Sequence, residues 1–224
     1  MQAIRPRLGR ALWLGVVLGA AMSCYPPAGP PTPGGGGTQM IARLLADRAD
    51  VGIRRAGGSV GYTPNMPLYV GDQVQTPAGT VALIEFTDTN DVYMNGGTRV
   101  ELGSIRLFFG EIYNLIRRIQ GGGSTVYTND LSAAAETTGF LVKKRSGAQG
   151  TVVTVVEGVV RCRPPAGATW PPVSVGANFQ LTVTPRSRTR TPVPVDARSQ
   201  AQWVDAAAAR LGRKPVLPAP PVIR

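Results

Sequence analysis

The stretch LYVGDQVQTPAGTVALIEFTD, residues 68–88, most limits what this chain can become. It holds two apolar, β-favouring runs separated by the turn Pro77-Ala78-Gly79, with Gly71-Asp72 leading into the first. Ala82, Ile84 and Phe86 fall on one face at period two, and Val81, Leu83 and Glu85 fall on the other. One face is wholly apolar and the other nearly so. Such a strand must be covered on at least one side, and the rest of the chain has to supply the cover.

The chain is long enough to do so. Its 224 residues, 43% of them apolar, suffice for one domain of about 130 residues plus tails. Short β-type runs are expected at 51–54 and 59–62 around Gly57-Gly58, and at 91–94 and 98–102 around Asn95-Gly96-Gly97, which reads as a hairpin. Others follow at 106–109, 111–116, 124–127, 140–144, 151–156, 159–162 and 179–183, with Val152, Val153, Val155 and Val156 favouring strand strongly. Glycines recur 18 to 19 residues apart at 79 and 97, and again at 139, 158 and 176, a spacing that suits the corners of a β-solenoid. The expected fold class is therefore mainly β: a single all-β domain over 51–183, built from short strands and solenoid- or sandwich-like.

Two helices are expected to flank it. Met40, Ile41, Leu44 and Leu45 share one helical face in a short lead helix over 39–50, with Thr38 as its N-cap. Residues 184–195 form a basic, Pro-broken linker. An amphipathic helix then covers 196–212, with Ser199 and Gln202 as a capping box and an apolar stripe through Trp203, Val204, Ala207, Ala208 and Leu211. That stripe docks back on the domain or contacts a membrane or partner. Residues 213–224 read as a disordered tail.

The ends also carry the charge. Of the formal +11, residues 56–183 contribute nothing, with nine basic and nine acidic side chains, whereas 184–224 carry eight basic and two acidic. A nucleic-acid reader would place its basic face on the folded domain, so no nucleic-acid partner is expected. A basic tail suits an acidic envelope polymer instead, such as peptidoglycan or lipopolysaccharide. Residues 1–23 read as an export signal: Arg5, Arg7 and Arg10 precede the apolar run 11–22, which spans roughly 18 Å as a helix, too short for a hydrocarbon core of roughly 30 Å. Ala21-Met22-Ser23-Cys24 then resembles a bacterial lipobox, with Ala where Leu is usual three residues before the cysteine, making Cys24 the expected acylated N-terminus. Residues 24–38, Pro- and Gly-rich, form the tether from a lipid anchor. Tyr25 stands where Asp would signal inner-membrane retention, which favours the outer membrane.

Catalysis finds little support. The chain has no histidine, the commonest general base and zinc ligand. Asp88-Thr89-Asn90-Asp91 lacks the further carboxylates and glycine of a calcium loop and reads as a turn, so no metal is expected. Gly121-Gly122-Gly123-Ser124 has no following helix to make it an anion cradle. Its neighbours Arg117 and Arg118 are the first candidates for contact with an acidic ligand. Lys143-Lys144-Arg145 reads as a solvated strand end. Once Cys24 is acylated, Cys162 has no partner for a disulfide and reads as an inert thiol. Trp170, between Thr169 and Pro171, and Trp203 are candidate partner contacts. No enzyme and no cofactor are expected.

Several segments together resemble a known family. They run Leu68-x-Val70-Gly71-Asp72-x-Val74-x-Thr76-x-x-Gly79, then Ala82-x-Ile84-x-Phe86-x-Asp88, then Val92, Thr98, Leu102, Leu107 and Gly110-Glu111. The last is Val153-x-Val155-x-Glu157-Gly158-x-Val160. The pattern, over about 51–183, is similar to the FecR-type domain of bacterial envelope proteins. The resemblance implies a periplasmic, all-β, solenoid-like domain that recognises partner proteins. Gly71, Asp72, Gly79, Phe86, Asp88, Gly110, Glu157 and Gly158 serve in it as structural motif positions, and there is no catalytic residue to carry over. In the family's namesake the domain relays a signal from an outer-membrane transporter to a cytoplasmic sigma factor. The short segment before the apolar run cannot form the sigma-binding part, so that relay role is not expected here. Thr137-Thr138-Gly139-Phe140 departs from the family's usual Gly-Thr-x-Phe-x-Val. Expected partners are envelope proteins, with the membrane reached through the lipid anchor.

Overall fold

The computed structural model describes residues 39–88, 90–117, 123–145, 149–186 and 190–219. Among these described residues seventeen strands run in chain order: β1 Met40–Ala46, β2 Gly52–Arg55, β3 Gly58–Val60, β4 Met66–Tyr69, β5 Gln73–Thr76, β6 Ala82–Phe86, β7 Asn90–Met94, β8 Thr98–Glu101 and β9 Ile105–Ile116. They continue with β10 Ser124–Tyr127, β11 Ser132–Ala135, β12 Gly139–Lys144, β13 Thr151–Glu157, β14 Val159–Arg163, β15 Val173–Gly176, β16 Phe179–Val183 and β17 Val193–Pro194. Two short helices close the order, α1 Ala197–Ala201 and α2 Trp203–Arg210.

Pairing sorts the strands into two ladders that share β9. The first, layer A, runs β4-β1-β6-β7-β9-β12-β13-β16-β17. The second, layer B, runs β3-β2-β5-β8-β9-β10-β11-β14-β15. All these pairings are antiparallel except the short β9–β10 contact. Of the two architectures expected, this is the sandwich-like one, since stacked coils would pair in parallel.

The chain changes layer at glycine-containing corners. Strand β9 begins in layer B and ends in layer A, bending at Gly110, whose φ of +98° and close approach to Thr98 leave no room for a side chain. Gly158, at φ +82°, turns β13 of layer A into β14 of layer B, and a Cβ there would meet the Thr137 carbonyl oxygen at 2.7 Å. At Asn95-Gly96-Gly97 the same thing happens. The expected hairpin does not form, because β7 pairs with β6 and β9 while β8 pairs with β5 and β9. A Cβ on Gly96 would lie 2.6 Å from the Gly79 nitrogen, so two crossing turns stack there.

Inward residues of both ladders form one core: Leu44, Ile84, Val92, Ile112, Phe140, Val153 and Leu181 from layer A meet Ile53, Val74, Val100, Leu107, Val126, Val160 and Val175 from layer B. The outer face of layer A builds a second core. Val81, Leu83, Tyr93, Tyr113, Leu141 and Val156 are covered there by Ala197, Ala201, Val204, Ala207, Ala208 and Leu217. This explains why β6 is apolar on both faces: Ile84 looks into the sandwich and Leu83 looks at the helices.

Three further expectations fail. The lead helix over 39–50 is strand β1 for most of its length, paired on one side with β4 and on the other with β6. Ala42 and Leu44 point inward at period two, and filling the slot between two open strand edges outweighs a weak helical stripe. The helix over 196–212 is broken at Gln202, and its N-cap is Asp196, whose side chain accepts from the Ser199 N–H, rather than Ser199 with Gln202. Residues 213–219 of the supposed disordered tail are held in place: Asp205 Oδ1 accepts from the Val216 and Leu217 N–H groups at 2.7 and 3.0 Å, and Leu217 is buried. Residues 220–224, like the signal and tether regions, lie outside the described residues.

Candidate functional site

Asp72 shows what the family-like motif does. It is 1% exposed and takes Arg55 through two hydrogen bonds, Nε to Oδ1 at 2.9 Å and Nη2 to Oδ2 at 2.7 Å, while Oδ2 also accepts from the Tyr69 N–H. The Arg55 guanidinium stacks over the Tyr69 ring at 4.4 Å. Gly71 at φ +86° reverses the chain so that its N–H reaches the Leu102 carbonyl. Gly71 and Asp72 are therefore a corner clamp. Gly79 makes a second left-handed corner, its carbonyl accepting from Arg210 at 2.6 Å. Phe86 packs half-buried against the inner core, and Asp88 and Glu157 are exposed.

The candidate contact residues do not converge. Arg117 is ion-paired with Asp91 at 2.6 Å. Burial holds the Asp91 carboxyl above the usual carboxylate range, and Arg117 pulls against that rise without cancelling it. Trp170 packs half-buried against the inner core with Arg190 stacked 4.9 Å above its ring. Trp203 packs half-buried among the helix-covered residues of layer A. Arg118 and Cys24 lie outside the described residues. Lys144 is not solvated as expected: it is 8% exposed and donates to Asp130 at 2.9 Å. Cys162 is fully buried, and that burial pushes its thiol up to about 12, which keeps it protonated and inert.

The C-terminal region is tied down by its own cations. Arg210 pairs with Asp47, Arg213 with Glu85 at 2.6 Å, and Arg198 with Asp205 at 4.0 Å. The outer face of layer A is thus closed over much of its width by helices and their ion pairs.

The outer face of layer B has no such cover among the described residues. Cross-strand register builds one continuous row across it: Arg54 opposite Gln73, Gln73 opposite Glu101, Glu101 opposite Arg106, Arg106 beside Tyr127, Tyr127 opposite Ser132 and Ser132 opposite Arg163. A second row runs Thr125, Ala134, Arg161, Ser174. Arg161 and Arg163 are exposed, and among the described residues neither has an ion-pair partner. The small side chains beside them leave a trough of about 680 Å³, lined by Thr125, Ala134, Thr137, Arg161, Arg163 and Ser174, with Glu136 also at its wall. No single residue of this surface announces itself in the sequence. The signal was the polar-apolar alternation of VVRCR, whose outward positions are Val159, Arg161 and Arg163.

A two-layered β module with one sealed face and one open, arginine-bearing face is the class of protein that results. Residues 72–161 match the family model described as FecR protein, a stretch that begins just before β5 and ends within β14. Two crystal structures of a candidate anti-sigma factor from Parabacteroides distasonis ATCC 8503 are similar in fold. Each aligns with a TM-score of 0.51 at 19% identity, covering 59% of this chain and 64% of that one. The chain spans less than two thirds of that protein's length. No curated protein matches the chain. Among the described residues no helix is long and apolar enough to cross a membrane.

Proposed function

We propose that this chain is a non-enzymatic, lipid-anchored envelope protein whose FecR-type domain binds protein partners in signalling or envelope assembly. The observation that carries the reading is the family match over 72–161, in which Asp72 acts as a clamp and Gly79, Gly110 and Gly158 as corners. Likeness in fold to a candidate anti-sigma factor supports a regulatory setting. Cys24 after the apolar run supports acylation and a periplasm-facing place, with the outer membrane favoured by Tyr25. The alternative, a structural lipoprotein gripping an acidic polymer through its tail, is disfavoured because Arg190, Arg198, Arg210 and Arg213 are engaged with the domain or with each other's helix.

Intact mass of the membrane-extracted protein tests the anchor. A mature chain starting at Cys24 with added acyl mass, lost in Cys24→Ala, is expected; a chain cut elsewhere without lipid would sink it. Crosslinking in intact envelopes, followed by mass spectrometry, tests the binding role. One protein recovered in stoichiometric yield is expected, and recovery of peptidoglycan or lipopolysaccharide alone would favour the alternative.

A further inference from the structure

We infer that the trough on the outer face of layer B takes an extended acidic protein segment with carboxylates at alternate positions, lying along β14. The inference rests on reading the domain as a protein-binding module and names the chemistry of what it binds. Arg161 and Arg163 project from the same side of one strand, two residues apart, which sets their Cα atoms about 6.8 Å from each other. An extended peptide repeats its side chains with that same spacing, so two of its carboxylates meet the two guanidinium groups in step. Each arginine offers a planar pair of donors matched to a carboxylate.

The floor favours the same occupant. Arg161 has Ala134 opposite it on one side and Ser174 on the other, and Arg163 has Ser132 beside it. With only small side chains directly across the neighbouring strands, a backbone can approach the two guanidinium groups and the sheet closely. Arg106 and Tyr127 continue the row away from Arg163, and Tyr127 is 40% exposed, adding a basic group and an aromatic surface at one end. Glu136 also lines the trough, directly after the Ala135 that pairs with Val160, and repels a carboxylate there, which favours acidic positions over Arg161 and Arg163 rather than over the β11–β12 turn. The neutral 56–183 stretch thus hides a local separation: its acids serve as internal clamps at Asp72, Asp91 and Asp130, while Arg161 and Arg163 are left unpaired among the described residues.

The test uses the full chain and labelled synthetic peptides followed by fluorescence anisotropy. One heptapeptide alternates Thr and Glu; a second has the same composition with its glutamates contiguous. The alternating peptide is expected to bind at least ten-fold more tightly, with affinity falling as salt rises. Arg161→Gln with Arg163→Gln is expected to lose at least ten-fold, and Ala134→Trp, which fills the floor without touching charge, a similar factor. Arg186→Gln with Lys214→Gln, outside the trough, is expected to change nothing. Equal binding of the two peptides, or equal binding by the Arg161/Arg163 variant, would overturn the inference. So would a sulfated polysaccharide that occupies the trough more tightly than the alternating peptide. If the Arg161/Arg163 variant still crosslinks the same envelope protein as wild type, the trough is wrong and the binding-module reading stands. If neither chain captures a protein and no peptide binds, both fall.

Discussion

Layers A and B are built from the same kind of strand and differ in what lies on their outer faces. In β6, β7, β12 and β13 both sides of the strand are buried, and the outward set Leu83, Tyr93, Leu141 and Val156 is apolar because α1 and α2 lie on it. In β5, β8, β11 and β14 only the inward set is buried, and the outward set is Gln, Arg, Glu, Ser and Ala with one exposed valine, Val159. The difference follows from where the chain ends up. The C-terminal segment returns to layer A, clipped by Arg210 to Asp47 and by Arg213 to Glu85, and among the described residues nothing covers the outer face of layer B. Both layers share the inner core, and only layer A has a second core on its outer face.

If that division holds, substitutions should cost most where both faces are sealed. Phe140 is among the largest fully buried side chains and sits in the strand that joins β9 to β13. Phe140→Ala should destabilise by about 3–5 kcal/mol in urea unfolding, through lost burial and the cavity left behind. A cost under about 1 kcal/mol would mean that layer A does not form the rigid half. Next comes the helix cover. Val204 is fully buried against layer A, and Val204→Ala should cost about 2 kcal/mol, with increased exposure of the face that holds Tyr93 and Tyr113. An unchanged midpoint would show that α2 rests on the sheet without contributing to it.

The same sealed face should make the alkaline limb steep. Burial pushes the Tyr93 hydroxyl up to about 12, with Asp91 adding to the rise, and Tyr113 is raised further still, chiefly by burial. An unfolded tyrosine ionises near 10. The folded state therefore holds its proton where the unfolded state has lost it, so the contribution is fully present below about pH 10 and drains away as pH rises through the folded value. Tyr93→Phe should flatten the fall in stability between roughly pH 10 and 12. An identical slope in the variant would show that the phenol is not sealed by the helices.

The contrast was half legible in the sequence. The all-β class, β6 with its two apolar faces, and the docking stripe of Val204, Ala207 and Ala208 could all be read from periodicity. Strand β1 could not, because Met40, Ile41, Leu44 and Leu45 satisfy both a helical stripe and a pleat, and only the open edges of β4 and β6 decide between them. Strand β11, SAAA, has a composition that favours helix, and its slot between β10 and β14 overrides that preference. The change of layer at Asn95-Gly96-Gly97 was hidden for a similar reason: the turn chemistry matches a hairpin, and the destination of β8 depends on β5, 22 to 28 residues earlier by register. The open face was hardest to see. Its row from Arg54 to Arg163 is assembled from strands far apart in the chain, so no local window contains it.

That row supplies the smallest expected effect and the sharpest contrast with Phe140. Arg161 and Arg163 are exposed, and their neighbours Ala134, Ser132 and Ser174 are too short to lean on them. Replacing both with Gln keeps length and β-compatibility while removing charge, so unfolding should change by no more than about 0.5 kcal/mol. Because the two positive charges sit close together with no acid between them, relief of their mutual repulsion can even raise the urea midpoint slightly at low salt, an advantage that should vanish at high salt. A loss above about 1.5 kcal/mol would show that the arginines hold the sheet together. Layer B would then be as structural as layer A, and its outer face would no longer be the part of the molecule set aside for binding.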